Sequence, residues 1–155
     1  MYSKQAYEIF LSATSAVQPQ LLLPEYIYTR NGFLHLTDQV FKIRDINKFI
    51  VIAAGKAAPG MANVTEKQVG ILISEGYCIT KYGHSLPLKF LHTIEAAHPV
   101  PDQNSIKAGE IVLQAVSSLT VDDIVLLLLS GGASSLLADI PQGCTLEETL
   151  SLIHI

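Results

Sequence analysis

Two short stretches of this sequence carry residue types that could manage a negatively charged ligand. The first is Ala54-Gly55-Lys56-Ala57-Ala58, which follows the apolar run Phe49–Ala54 and leads into a segment of small residues. Gly55 permits a tight turn, and Ala57 and Ala58 leave room for a ligand or a close packing contact. Lys56 sets a cation beside a helix start, where phosphate or carboxylate is favoured. The second is Ser130-Gly131-Gly132-Ala133-Ser134-Ser135, entered from the run Ile124–Leu129. Paired glycines let successive N–H groups converge on an anion, and the serines add hydroxyl donors. Neither stretch has the G-x-x-x-x-G-K-[ST] spacing of a P-loop or the G-x-G-x-x-G dinucleotide fingerprint. No G-x-S-x-G elbow supports a serine hydrolase. Taken singly, the first is equally an ordinary strand-to-helix turn with a solvated lysine. The second has the stronger context for a phosphate site, with a flexible turn as its alternative.

Two more stretches gather polar groups. Thr80-Lys81-Tyr82-Gly83-His84 clusters a hydroxyl, a cation, a phenol and an imidazole around a glycine, a grouping that also suits a surface turn. Glu95-Ala96-Ala97-His98-Pro99-Val100-Pro101-Asp102 is stiffened by its prolines, which fix φ and restrict the preceding residues. His98 and Asp102 could be held there in fixed directions, but Asp102 fits a helix N-cap better than chemistry. Tyr82, His35, His92 and His154 carry no signal of their own.

The elements that must position these groups are legible in the periodicity. Ala6, Ile9, Phe10, Ala13 and Val17 recur at helical spacing, and Pro19 ends that helix. Gln20 to Lys48 is mixed, with a turn at Arg30-Asn31-Gly32 and a short strand over 33–36. Strands are predicted over 49–54, 70–74, 76–80, 91–96 and 124–129. Helices are predicted over about 57–67, where Pro59 falls in the first turn, and through Ala108, Ile111, Val112, Ala115, Val116 and Leu119 on one stripe. The run Ile124–Leu129 reads as a strand buried on both faces. Strands alternating with helices argue for a parallel sheet covered on both sides, and ligands of such sheets bind at the carboxyl ends of the strands. Thr145 and Glu148 form a capping-box start, and the helix it opens is cut short at Ile155, the pattern of a truncated product.

Composition limits the rest. The chain has 155 residues, 49% hydrophobic and 15% charged, against roughly 25% charged in typical soluble domains. Either part of its apolar surface is covered by something outside this chain, or the domain is tightly packed; composition leaves both open. A net charge of −4 without a Lys/Arg cluster gives no stripe for nucleic acid. The apolar runs are too short to span a bilayer. Cys78 and Cys144 lack metal-ligand spacing and read as reduced thiols in a cytoplasmic protein.

Taken in order, these stretches resemble one family. Gly55-Lys56-Ala57-Ala58 with Met61-Ala62, Ile79-Thr80-Lys81-Tyr82-Gly83-His84, Glu95–Asp102 and Asp123–Leu137 are similar to four successive motifs of the glycerate kinases that carry a MOFRL domain. The likeness is to their amino-terminal, MOFRL-associated domain (DUF4147), and some members bear the name hydroxypyruvate reductase. The departures are Ala133 for the third glycine of the second loop, Ser135 for an alanine, and Ala97 for the glycine before His98. An alanine would be strained where φ must be positive. The resemblance implies an α/β, Rossmann-like parallel sheet with helices on both faces. It implies that residues 1–155 are an incomplete domain lacking the MOFRL domain, and hence an inactive or non-catalytic fragment. For the full-length family member it implies ATP-dependent phosphorylation of D-glycerate to 2-phosphoglycerate with Mg2+. It further implies that Lys56 is catalytic, that Gly55, Ser130, Gly131, Gly132, Ser134 and Ser135 hold the nucleotide, and that Lys81, His98 and Asp102 hold substrate. The metal ligand is not identified, with Asp102 and then Asp139 the carboxylates to consider. A small-molecule substrate is expected, with no nucleic acid or membrane partner and a homodimer left open. A nicotinamide-dependent hydroxypyruvate reductase is the alternative, against which stands the missing dinucleotide fingerprint.

Overall fold

The computed structural model describes residues 2–153. Helix α1 (Tyr2–Ala16) ends before Pro19, which starts the short α2 (Pro19–Leu22) in its first turn. The apolar residues of α1 are not taken into the core: Tyr7, Ile9 and Phe10 lie exposed. An antiparallel meander follows, β1 (Ile27–Arg30), β2 (Phe33–Leu36) and β3 (Gln39–Lys42). Only β2 is recognisable from its sequence. The flanking strands are four residues each with their apolar residues side by side (Ile27-Tyr28 and Val40-Phe41), so they lack the alternation that marks a half-buried strand. Asn31 and Gly32 make the β1–β2 turn at positive φ.

The second sheet contains the crossover connections. It comprises β4 (Phe49–Ala54), β5 (Glu75–Lys81), β6 (His92–Ala96) and β7 (Ile124–Leu129), all parallel, in the order β6-β5-β4-β7. Helices α3 (Ala58–Val69), α4 (Gln103–Val116), α5 (Ala133–Leu136) and α6 (Leu146–Ile153) complete the described elements. Every residue of β4 is buried, as expected of a central strand between two helical layers. On one face Phe49, Val51, Ala53, Cys78 and Leu128 pack with Ala58, Ala62 and Val69 of α3 and with Ile27, Leu34 and Leu36 of the meander. On the other, Ile50, Ile52, Ala54, Ile79 and Ala96 pack with Ala108 of α4 and Leu136 of α5. Burial holds the Cys78 thiol protonated, its pKa pushed up to about 12 by desolvation and then by Glu66. Glu66 in turn accepts the N–H groups of Lys89, Phe90 and Leu91, tying the approach to β6 onto α3.

Two expectations are corrected. Residues 70–74 do not form a strand. They make a 3-10 turn over Gly70–Leu72 before β5, with Gly70 against the Phe90 ring, where a Cβ would lie 2.7 Å from the ring edge. And β7 is not buried on both faces. It is an edge strand: Leu128 is buried beside α3, whereas Val125, Leu127 and Leu129 on the opposite face are exposed. Of the predicted terminal helix, Leu146–Ile153 is observed with its Thr145–Glu148 box closed, while His154 and Ile155 lie outside the described residues.

The strand order sets the place for a ligand. From β4 the chain steps outward to β5 and β6, then returns to the other side of β4 for β7. The crevice at the carboxyl ends of β4 and β7 is therefore the topological switch point, where open α/β sheets bind ligands.

Candidate anion-binding site

Both glycine corners open from this crevice. Ala54 and Leu129 are register partners at the ends of β4 and β7. Beyond them, Ser130 N–H donates to the Ala54 carbonyl (3.0 Å), Lys56 N–H to the Gly131 carbonyl (3.0 Å), and Ala57 N–H to the Ser130 hydroxyl (3.0 Å). Gly55 has φ 120°, and a Cβ there would collide with the Ser130 side chain and backbone. Glycine is thus demanded twice at position 55, by dihedral angle and by space.

These bonds decide what each corner can offer. In the first, the N–H groups of Gly55, Lys56, Ala57 and Ala58 are committed to Ile79, Gly131, Ser130 and Gly55 respectively, and Pro59 has none. Its contribution is the Lys56 side chain, which is exposed and pairs with no carboxylate among the described residues. In the second corner, the N–H groups of Gly131 and Gly132 enter no hydrogen bond among the described residues. Gly132 takes φ 91°, and a Cβ built on it would lie 2.8 Å from the His98 ring and 3.4 Å from Lys56 Cε. The lysine stem and the imidazole therefore flank the bare backbone of Gly132. The lysine stem, the imidazole and two N–H groups without a partner among the described residues thus lie about one glycine, and donors of these kinds can serve an anion.

The remaining site residues fall around this centre. Ala133 begins α5, and neither it nor Ala97 has positive φ, so the left-handed strain weighed for these two alanines does not arise. Ser135 is buried and donates to the Gly132 carbonyl (3.0 Å), fixing the loop; Ser134 is exposed. Lys81 is half-buried at the end of β5, paired with Ala96, and among the described residues no ion pair engages its side chain.

Asp102 is the N-cap of α4. Its carboxylate accepts from Asn104 and Ser105 N–H, and its own N–H donates to the Ser105 hydroxyl. Its carboxylate also accepts from Ala97 N–H (3.3 Å) and the Tyr82 hydroxyl (2.6 Å). Burial pushes this carboxyl up, but the bonds from Tyr82, Ser105 and Ala97 outweigh it and hold the pKa below the usual value. The carboxylate's oxygens are engaged in shaping the 97–102 loop that carries His98, a poor fit to a metal ligand. Asp139 is exposed and belongs to no group of metal-ligating side chains among the described residues. Tyr82 was not separable in the sequence from a surface turn. Its hydroxyl accepts from Asn104 while donating to Asp102, whose carboxylate raises the phenol pKa. Partners twenty residues apart leave no local signature.

A profile of the DUF4147 family, described as a domain of unknown function, matches residues 5–155. The chain belongs to this family. The DUF4147 chain is 38% identical to a protein named D-glycerate 2-kinase from Thermotoga maritima, a match covering 96% of this chain and 33% of that protein. It is 40% identical to a glycerate 2-kinase from Pyrococcus horikoshii over 88% of this chain and 30% of the relative. A crystal structure of glycerate kinase from Thermotoga maritima superposes with a TM-score of 0.78 at 37% identity, over 97% of this chain and 33% of that one. This DUF4147 chain thus spans about a third of the length of the relatives it matches. None of its described helices is long and apolar enough to cross a membrane.

Proposed function

We propose that this segment forms one wall of a glycerate kinase site, in which the γ-phosphoryl group of ATP is transferred to the 2-hydroxyl of D-glycerate. The observation that carries the reading is the meeting of Lys56, His98 and the Gly131 and Gly132 N–H groups at the switch point between β4 and β7. Phosphoryl transfer asks little covalent chemistry of a protein; it asks for positioning and for neutralisation of charge on phosphate oxygens. The unspent N–H groups suit a phosphate oxygen. Lys56 would neutralise charge as it redistributes, and donors fixed in advance need no reorganisation when that charge develops. His98 would orient the acceptor or its carboxylate, on a loop that the Asp102 cap and Tyr82 hold in place, and Lys81 and Ser134 would extend the contacts outward. Mg2+ would supply further neutralisation of the phosphates. The carboxylates that hold it are assigned to the part of the fold outside these residues, because Asp102 is occupied by capping.

The matched relatives are three times as long, so the test uses a chimera. Residues 1–155 replace the matching third of the Thermotoga maritima enzyme, and phosphorus NMR follows ATP with D-glycerate. The chimera is expected to form 2-phosphoglycerate, while residues 1–155 alone form none. A folded chimera that consumes no ATP, or that instead oxidises a nicotinamide with hydroxypyruvate, would sink the proposal.

A further inference from the structure

The connection from β5 to β6 contains no helix. Parallel strands are usually joined through one, whose internal bonds satisfy the crossover backbone. The N–H groups of residues 82–91 must therefore find acceptors elsewhere, and two carboxylates supply several of them. Glu66 of α3 accepts the N–H groups of Lys89 (2.8 Å), Phe90 (2.6 Å) and Leu91 (2.8 Å). Glu95 of β6 accepts those of Gly83 (3.0 Å) and Ser85 (3.2 Å), across a turn that Gly83 makes at φ 72°. Ser85, through its side chain and then its N–H, and Gly83 hold the Glu95 carboxyl below its usual pKa. The two carboxylates pin opposite ends of the connection. Leu91 directly precedes β6, whereas Glu95 pairs with Thr80 near the carboxyl ends of β5 and β6.

The Glu95 end is linked to the loop that carries His98. Tyr82, beside Gly83, donates its N–H to the Ala96 carbonyl (3.3 Å) and its hydroxyl to Asp102 (2.6 Å). Asn104 Nδ2 spans the Tyr82 hydroxyl (2.9 Å) and the Glu95 carbonyl (3.2 Å). A carbonyl can only accept, so Asn104 must turn its NH2 group toward both oxygens. The Tyr82 oxygen is thereby used as an acceptor, and its own proton is directed to Asp102. Asp102 also takes the Ala97 N–H (3.3 Å), one residue before His98, whose ring lies beside Gly132.

We propose that Glu95 and Asn104 are positioning residues for His98. Glu95 holds the 83–85 turn, Asn104 and that turn hold the Tyr82 hydroxyl, and the hydroxyl with Asp102 fixes the backbone from which His98 reaches Gly132. The α4 cap bonds keep Asp102 in place without Tyr82. What Glu95 and Asn104 add is therefore the pose of His98 and not the helix. Glu66, the same kind of pin at the far end, serves the fold alone.

The kinetic comparison rests on the kinase reading above; the spectroscopic one does not. Selectively labelled histidine and glycine would be followed by NMR in residues 1–155 and in the chimera. Glu95→Ala and Asn104→Ala are expected to shift and broaden the His98 ring and Gly132 amide signals. Asn104→Ala keeps the backbone bond to Asp102 and puts a good helix former in α4. Glu66→Ala should lower the melting temperature and leave both signals in place. In the chimera, Glu95→Ala and Asn104→Ala should lower kcat/KM for phosphorylation by about ten- to a hundredfold, the scale of a misplaced reacting group. Glu95→Gln keeps one acceptor oxygen and should recover part of that loss, while Glu66→Ala should stay within about twofold of the parent. Should Glu95→Ala fail to fold, Asn104→Ala and Glu95→Gln give the same readings. Unchanged His98 and Gly132 signals in the Glu95 and Asn104 variants overturn the inference, as does an equal disturbance from Glu66→Ala. If the parent chimera transfers no phosphoryl group, the kinase reading falls and the NMR comparison still decides the positioning roles.

Discussion

The two glycine corners are alike in sequence logic and opposite in what they do. Each follows a buried or half-buried strand, turns at a glycine of positive φ and opens a helix. The corner after β4 spends its backbone donors on β5 and on the other corner, leaving a side chain to face outward. The corner after β7 spends its side chains, Ser130 and Ser135, on holding the turn, and leaves backbone donors free. A glycine-rich strand-to-helix turn thus does not by itself mark an anion site. What matters is which N–H groups remain after the turn has been closed.

Substitutions can test that division of labour. In the chimera, Lys56→Ala should lower kcat/KM for phosphorylation by about two to three orders of magnitude, the usual loss of a donor to developing charge, with folding unchanged. If turnover stays within twofold of the parent, the first corner contributes nothing outward. Gly55→Ala and Gly132→Ala should then separate the corners. At position 55 the methyl group meets Ser130, and about 1–3 kcal/mol of stability should be lost in urea titrations, the scale of enforced backbone strain. At position 132 the positive-φ strain applies as well, and the methyl group also displaces His98 and the Lys56 stem, so the KM for ATP or glycerate should rise at this position and not at 55. The same stability loss at both positions with intact KM would erase the distinction. Ser130→Ala removes the acceptor of Ala57 N–H and should cost about 1 kcal/mol, read in the same titrations.

The smallest effect concerns the loop carrying His98. Asp102 has its pKa depressed in the folded chain. Its contribution is present above the unfolded carboxyl value of about 3.9 and is lost as pH falls through the lower folded value. Amide exchange at the start of α4 should accelerate over that acid range, and Asp102→Asn should remove this pH dependence. A wild-type profile that is flat there would mean the cap is not held by charge.

Much of this was legible in the sequence because it depends on local patterning. The central strand, both glycine corners, the Asp102 cap and the helix through Ala108–Val116 follow from periodicity and turn chemistry, although the predicted stripe ran on to Leu119, beyond the end of α4. What failed depends on neighbours distant in sequence. The short strands β1 and β3, without alternation of their own, each pair with β2. The apolar content of β7 gave its kind but not its place in the sheet. The site was legible as a set of residue types. That Lys56 and His98 meet at Gly132 depends on strand order, and that the first corner's donors are spent depends on bonds across 73 residues.

The hydrogen bonds from Ser130 to Ala54 and from Lys56 to Gly131 bind the two turns into one rigid piece. The spacing between the backbones of the two turns is then a property of the sheet, while the Lys56 ammonium stays adjustable on its own exposed stem. Substitutions in β4 or β7 are then expected to shift both turns together, without touching any residue of either corner.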